Sequence, residues 1–132
     1  MKLSVYIYTN KGGRPNNEDS IRYSVEGGRG IFALADGLGG HNLGETAPAI
    51  AATAIVEGCA EAAVLDGNTL KEQIINANRQ ILDGQRCPGQ ADMKTTAVAL
   101  VVEEEQAFWA HVGDSRLYYF SQGQLACTTR DH

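Results

Sequence analysis

Cysteine is scarce and unpaired in this chain. Cys59, Cys87 and Cys127 are odd in number and widely spaced, with no C-x-x-C. Nothing in that pattern suggests a disulfide framework or a thiolate zinc site, and a reduced, cytoplasmic setting fits it best. No apolar run approaches the roughly 18 residues that a membrane span needs. The first ten residues alternate and lack the apolar core of a signal peptide. Basic residues are outnumbered: 11 Lys and Arg against 16 Asp and Glu give a formal charge of −5. A protein that grips nucleic acid through its phosphates needs the opposite balance, so nucleic acid is not an expected partner. Internal repeats, low-complexity tracts and linkers are absent as well.

What is there reads as one soluble globular domain over residues 1–132, with 43% hydrophobic and 20% charged residues. That length is enough to bury a real core. Leu3 to Thr9 alternates and predicts a half-buried strand. Lys11 to Asn17 is dense in turn formers. Ser20 to Val25 predicts a second strand, with Ile21, Tyr23 and Val25 on one face. After a turn at Gly27 to Gly30, the apolar run Ile31 to Ala35 predicts a third strand. It ends in Asp36 and opens into a loop with Gly37, Gly39, Gly40 and Gly44.

From Glu45 the period changes. Ala47, Ile50, Ala51, Ala54 and Ile55 share a helical face, Pro48 is tolerated in the first turn, and fraying is expected near Gly58. Thr69 to Glu72 has the pattern of a capping box, followed by Leu70, Ile74, Ala77 and Ile81 at helical spacing and a stop at Gly84. The last third returns to strands. Thr95 to Val102 looks buried on both sides, and Glu103 to Gln106 is a polar turn. Ala107 to Val112, Arg116 to Phe120 and Gln124 to Thr128 complete an expected four-strand meander. The order indicates an α+β protein with two helices packed on antiparallel sheet. A sheet ending at Thr128 presents an unpaired edge, from which self-association is expected.

The acids carry the chemistry. Glu18 and Asp19 open one strand and Asp36 closes the next. In an antiparallel pair those positions lie side by side, and adjacent carboxylates repel unless a cation sits between them. Glycines after Asp36 let backbone oxygens approach an ion. A hard cation such as Mg²⁺ takes one or two carboxylates, carbonyls and retained waters.

Four patterns stand in order: Arg14-Pro-Asn-Asn-Glu18-Asp19; Ala35-Asp36-Gly37-Leu38-Gly39-Gly40-His41; Thr95-Thr96 at the start of a buried strand; and Ala110 to Tyr118 with Gly113-Asp114-Ser115-Arg116 inside it. With the closing Thr129-Arg130-Asp131-His132 they resemble the metal-dependent serine/threonine protein phosphatases of type 2C, in their compact bacterial form. The resemblance runs from about residue 3 to the last. It implies an α-β-β-α sandwich of two antiparallel sheets with helices outside, of which these residues are the N-terminal part. It also implies two Mg²⁺ or Mn²⁺ ions. By that similarity Asp36 bridges both ions and the carbonyl of Gly37 ligates one. Glu18 and Asp19 hold metal-bound waters, Arg14 reaches the substrate phosphate, and Asp114 maps to a third, weaker metal position. A guanidinium suits the phosphate role because it grips two oxygens at once.

The implied reaction is hydrolysis of phosphoserine and phosphothreonine in proteins by a metal-activated water. The implied partner is a phosphorylated protein, opposing a serine/threonine kinase. The family's second half supplies further aspartates, so this chain alone is expected to be weakly active or inactive. The competing reading is a non-catalytic regulatory module, a pseudo-phosphatase or a phosphate- or nucleotide-binding domain. Gly37 to Gly40 resembles a phosphate loop at a distance. It lacks Gly-Lys-Ser/Thr, however, and G-x-G-x-x-G fails at Asn42. His41 stands too far from Asp36-Gly37 to inherit an acid role. His111 reads as a core histidine and the cysteines as packing residues.

Overall fold

The computed structural model describes residues 2–12, 18–38 and 46–132. In chain order the elements are β1 (Asp19–Glu26), β2 (Arg29–Leu38), α1 (Thr46–Glu61), α2 (Gly67–Gly84), β3 (Lys94–Thr95), β4 (Ala97–Glu103), β5 (Gln106–Val112), β6 (Tyr118–Ser121) and β7 (Gln124–Thr128). β1, β2, β4 and β5 lie side by side in that order, each antiparallel to the next, and β3 pairs with the end of β2. β6 and β7 form a separate two-stranded ribbon.

Side chains alternate along a strand, so each face of the sheet has its own set. Ile31, Ala33 and Ala35 of β2 and Ala99 and Val101 of β4 form one face and are buried. Both helices cover that face. α1 brings Ala47, Ala51, Ala52, Ile55 and Cys59, and α2 adds Leu70, Ala77 and Ile81. Alanines on both sides let helix and sheet approach closely. Burial of the Cys59 thiol raises its pKa to about 11, which makes it an inert packing group. Cys87 is exposed and packs nothing, contrary to expectation.

Arg29 ties three elements together. Its Nε and Nη2 donate to Glu103 Oε1 at 3.0 and 2.8 Å, and its Nη1 donates to the carbonyls of Cys59 and Ala62 at 3.2 and 2.6 Å. The guanidinium thus caps the C-terminal end of α1. This explains why α1 runs on to Glu61 instead of fraying at Gly58. Gly58 itself lies where a Cβ would collide with the Gln73 side chain of α2. The helix cap also differs from expectation. α2 begins at Gly67, and its N-cap is Asp66, whose carboxylate accepts from the Thr69 amide at 2.9 Å. Asp is as good a cap as Thr, and taking it adds three residues, Gly67 to Thr69, to the helix.

Three strand expectations need correction. Leu3 to Thr9 forms no strand, although it alternates. Alternation describes which side chains share a face, and does not by itself make a sheet ladder. Instead Val5 to Tyr8 border a hollow of about 310 Å³ against Ile21, Tyr23, Phe32 and Leu34. Thr95 to Val102 is interrupted at Thr96, and β4 lies inside the sheet between β2 and β5. The meander also stops after β5. At Gly113 (φ +96°) the chain leaves the sheet, and the ribbon forms on its own.

Candidate functional site

In β1 and β2, Asp19 stands directly opposite Asp36. Paired residues of an antiparallel ladder project to the same face. Both acids therefore lie on the face that the helices do not cover, at one end of the sheet. Glu18 precedes them, and its carbonyl accepts from the Gly37 amide at 3.0 Å, which extends the ladder past the acids. Asp19 is exposed and Glu18 partly so, whereas Gly37 is buried. One Asp36 oxygen, Oδ1, is shut away from solvent.

The backbone of Asp36 is held by Thr96 at both its amide and its carbonyl. Its amide donates to Thr96 Oγ1 at 3.0 Å, and its carbonyl accepts from the Thr96 amide at 2.9 Å. Thr95 Oγ1 lies 3.2 Å from the same carbonyl, though its single proton has a nearer acceptor in the Thr96 carbonyl at 2.7 Å. Thr96 Oγ1 is in turn 2.6 Å from Ser115 Oγ. Ser115 belongs to the turn Gly113-Asp114-Ser115, so the loop that carries Asp114 is tied to the strand that carries Asp36. The approach is tight. A Cβ on Gly113 would come within 2.7 Å of Thr96 Cγ2. Only glycine meets both that spacing and the positive φ. Asp114 itself is exposed beside this junction.

A strap from Thr129 to His132 holds the same loop from the other side. Thr129 exchanges bonds with Leu117, its amide donating at 3.1 Å and its hydroxyl accepting at 3.0 Å. The His132 amide donates to the Gly113 carbonyl at 3.1 Å, and His111 Nε2 donates to the Arg130 carbonyl at 2.6 Å. The His111 and His132 rings stack with centroids 4.5 Å apart. His111 is thus satisfied by a partner, as expected, but sits half-buried under the strap and not in the core. Arg116 grips Asp131 through two bonds of 2.8 Å. That pairing holds the Asp131 carboxyl below its ordinary range and raises the Arg116 guanidinium.

Of the sequence-derived site residues, the structure brings Glu18, Asp19, Asp36 and Gly37 to one sheet end, with the Asp114 loop docked beside them. Arg14 and His41 lie outside the described residues. Among the described residues, no three His, Cys, Asp or Glu side chains converge as a complete cage. The groups that stand together there offer oxygens: the carboxylates of Asp19 and Asp36, paired in register, with the backbone of Gly37 next in the chain. That set fits a hard divalent cation that keeps several waters, and fits a thiophilic metal poorly. Thr96 and Ser115 are the site residues that sequence reasoning left without a role. The hydroxyl residue before the buried run and the serine of the turn were the available signals, but their meeting across the fold is not visible in a linear sequence.

A family model for protein phosphatase 2C matches residues 10–132. The chain belongs to the protein phosphatase 2C family. Its relatives include protein phosphatase PhpP of Streptococcus pneumoniae, 30% identical over 124 residues, covering 90% of this chain and 50% of that protein. A crystal structure of a bacterial serine phosphatase superposes with a TM-score of 0.83 at 29% identity, over 95% of this chain and 53% of that one. The catalytic domain of the phosphatase PstP in complex with 2 manganese ions superposes with a TM-score of 0.72 at 32% identity, over 85% of this chain and 48% of that one. The α+β fold is therefore that of phosphatase 2C structures. The chain spans about half the length of the PhpP-type relatives it matches.

Proposed function

We propose that the whole protein hydrolyses phosphoserine and phosphothreonine in proteins, using Mg²⁺ or Mn²⁺ held at the Asp19–Asp36 end of the sheet. The observation that carries this reading is the register pairing of the two acids on one face, with the amide and the carbonyl of Asp36 both bonded to Thr96. Two divalent ions bound there supply charge neutralisation and an activated water for in-line attack on phosphorus. The residues of this chain do the positioning. Asp36, fixed at a strand end, would be the main carboxylate holding the ions. Asp19 and Glu18 order the waters around them, and the Gly37 carbonyl offers a neutral oxygen. Arg14 orients the substrate phosphate, and Asp114 serves a third, weaker ion. The substrate is a phosphorylated protein, so the natural opponent is a serine/threonine kinase. The scarcity of paired cysteines supports a cytoplasmic place of action.

The same geometry bounds what these 132 residues do alone. Two carboxylates and one carbonyl make a partial shell for two ions, so the isolated chain binds metal weakly and turns over little. Phosphate release from a phosphothreonine peptide, with and without Mn²⁺, tests the reading on the gene-length protein. Metal-dependent release that Asp36→Asn abolishes is the expected result. Release that ignores both metal and Asp36 would overturn the proposal, and brisk Mn²⁺-dependent turnover by the 132-residue chain would overturn its second part.

A further inference from the structure

We infer that Thr96 and Ser115 are positioning residues: their paired hydroxyls lock the peptide of Asp36 and so set where its carboxylate stands. The inference rests on the reading of Asp36 as a metal-holding acid, but its geometric part stands without it. Thr96 is buried, only 5% exposed. It sits in the one-residue break between β3 and β4, where the regular ladder to β2 is interrupted. At that break a side-chain oxygen takes the place of a backbone acceptor. The Asp36 amide donates to Thr96 Oγ1 at 3.0 Å instead of to a strand carbonyl.

A hydroxyl rotates freely unless a partner fixes it. The partner is Ser115 Oγ at 2.6 Å, a short O–H···O bond between two partly buried groups. With that bond made, a lone pair of Thr96 Oγ1 is left facing the Asp36 amide. Ser115 is itself presented by a loop clamped between Thr96 and the strap, through the Gly113 carbonyl and the Leu117 amide. The chain of contacts therefore runs from the strap to the 113–117 loop, through the two hydroxyls, to the peptide of Asp36. None of these groups needs to touch a substrate.

Three variants separate positioning from plain stability. Thr96→Val keeps the shape and removes the hydroxyl; Thr96→Ser keeps the hydroxyl; Ser115→Ala removes only the partner. Amide hydrogen exchange is read at Asp36 and at Ala99, an ordinary ladder residue of β4 facing Ala33. Exchange at Asp36 should quicken in Thr96→Val by about tenfold beyond any change at Ala99, the factor of one ordinary hydrogen bond. A smaller excess is expected in Ser115→Ala, and near wild-type behaviour in Thr96→Ser. Calorimetric Mn²⁺ titration should show affinity falling in the same order. If Asp36 and Ala99 quicken equally, the pair is merely structural and the inference fails. If Asp36 alone quickens while the wild-type gene-length protein takes up no Mn²⁺, the lock stands and the metal reading falls. Thr96→Ser behaving like Thr96→Val would also overturn the hydroxyl role. Should Thr96→Val fail to fold, Ser115→Ala decides by the same two amides.

Discussion

On the helix-covered face of the central sheet, Ile31, Ala33, Ala35, Ala99 and Val101 are at most 3% exposed, whereas Tyr23 and Leu34 on the opposite face remain 49% and 37% exposed. The two faces share the same strands. β2 contributes Ile31, Ala33 and Ala35 to one and Phe32, Leu34 and Asp36 to the other. Its register is fixed by the buried set, because a slip of one residue would drive Asp36 under α1 and Ala35 into the open. The dense face therefore does not merely stabilise the molecule. It determines where Asp36 points, and the acids inherit their alignment from alanines on the far side. The second face is looser. Tyr23 stacks on Phe32 with ring centroids 6.1 Å apart, and Trp109 leans on Tyr119 of the ribbon at 6.5 Å.

The largest contrast between the faces should appear on truncation. Ile31→Ala removes a side chain that is 1% exposed and is expected to cost about 2–5 kcal/mol. Leu34→Ala, three residues along the same strand, should cost no more than about 1 kcal/mol, because much of that side chain already meets water. Urea denaturation of the two variants measures the difference. Equal losses would break the distinction between the faces and imply that Leu34 is covered in solution.

How legible this was depends on the distance over which each feature is decided. The pairing of Asp19 with Asp36 was readable because a short turn at Gly27 and Gly28 joins two consecutive strands, and the register follows from the turn. The helices were readable from their spacing, and the α+β class from the order of elements. Boundaries failed where a side chain from elsewhere intervened. Arg29, 30 residues from Cys59, holds the end of α1 that Gly58 was expected to loosen. Asp66 displaced Thr69 as cap because both are good acceptors and only geometry chooses. The Leu3 to Thr9 segment failed for a different reason: periodicity describes a strand's faces but not its neighbour. The Thr96–Ser115 contact, 19 residues apart, joins two hydroxyls that sequence gives no reason to pair.

A smaller effect compares the acid end with the free tip of the ribbon. Gly113 and Gly123 both have positive φ, +96° and +78°, but only Gly113 faces Thr96. Alanine at Gly123 should cost about 1–2 kcal/mol for the backbone conformation alone. Alanine at Gly113 should cost more, because Thr96 has to shift as well, and the shift should reach the Asp36 amide. Thermal unfolding ranks the two variants, and the chemical shift of the Asp36 amide shows whether the strain travels. An Asp36 amide that moves no more in Gly113→Ala than in Gly123→Ala would sever the loop from the acid.

The smallest effect is confined to the strap, and it is a response to acid. The bonds from Arg116 hold Asp131 below its ordinary carboxyl value of 3.8. A carboxyl lowered in the folded state binds fewer protons there than in a loosened one. Its contribution is therefore complete above about pH 3.8 and is lost as the pH falls through the lowered value. Among the described residues, the apolar core of the helix-covered face holds no carboxyl group. Acidification should therefore release the strap first, seen as loss of the Thr129 and His132 amide signals from their bonded positions while the Val101 amide stays put. Asp131→Asn should bring the strap toward its released state at neutral pH and flatten the acid response. Simultaneous movement of the strap and Val101 amides would mean that the strap has no independent stability, and that the two faces come apart as one.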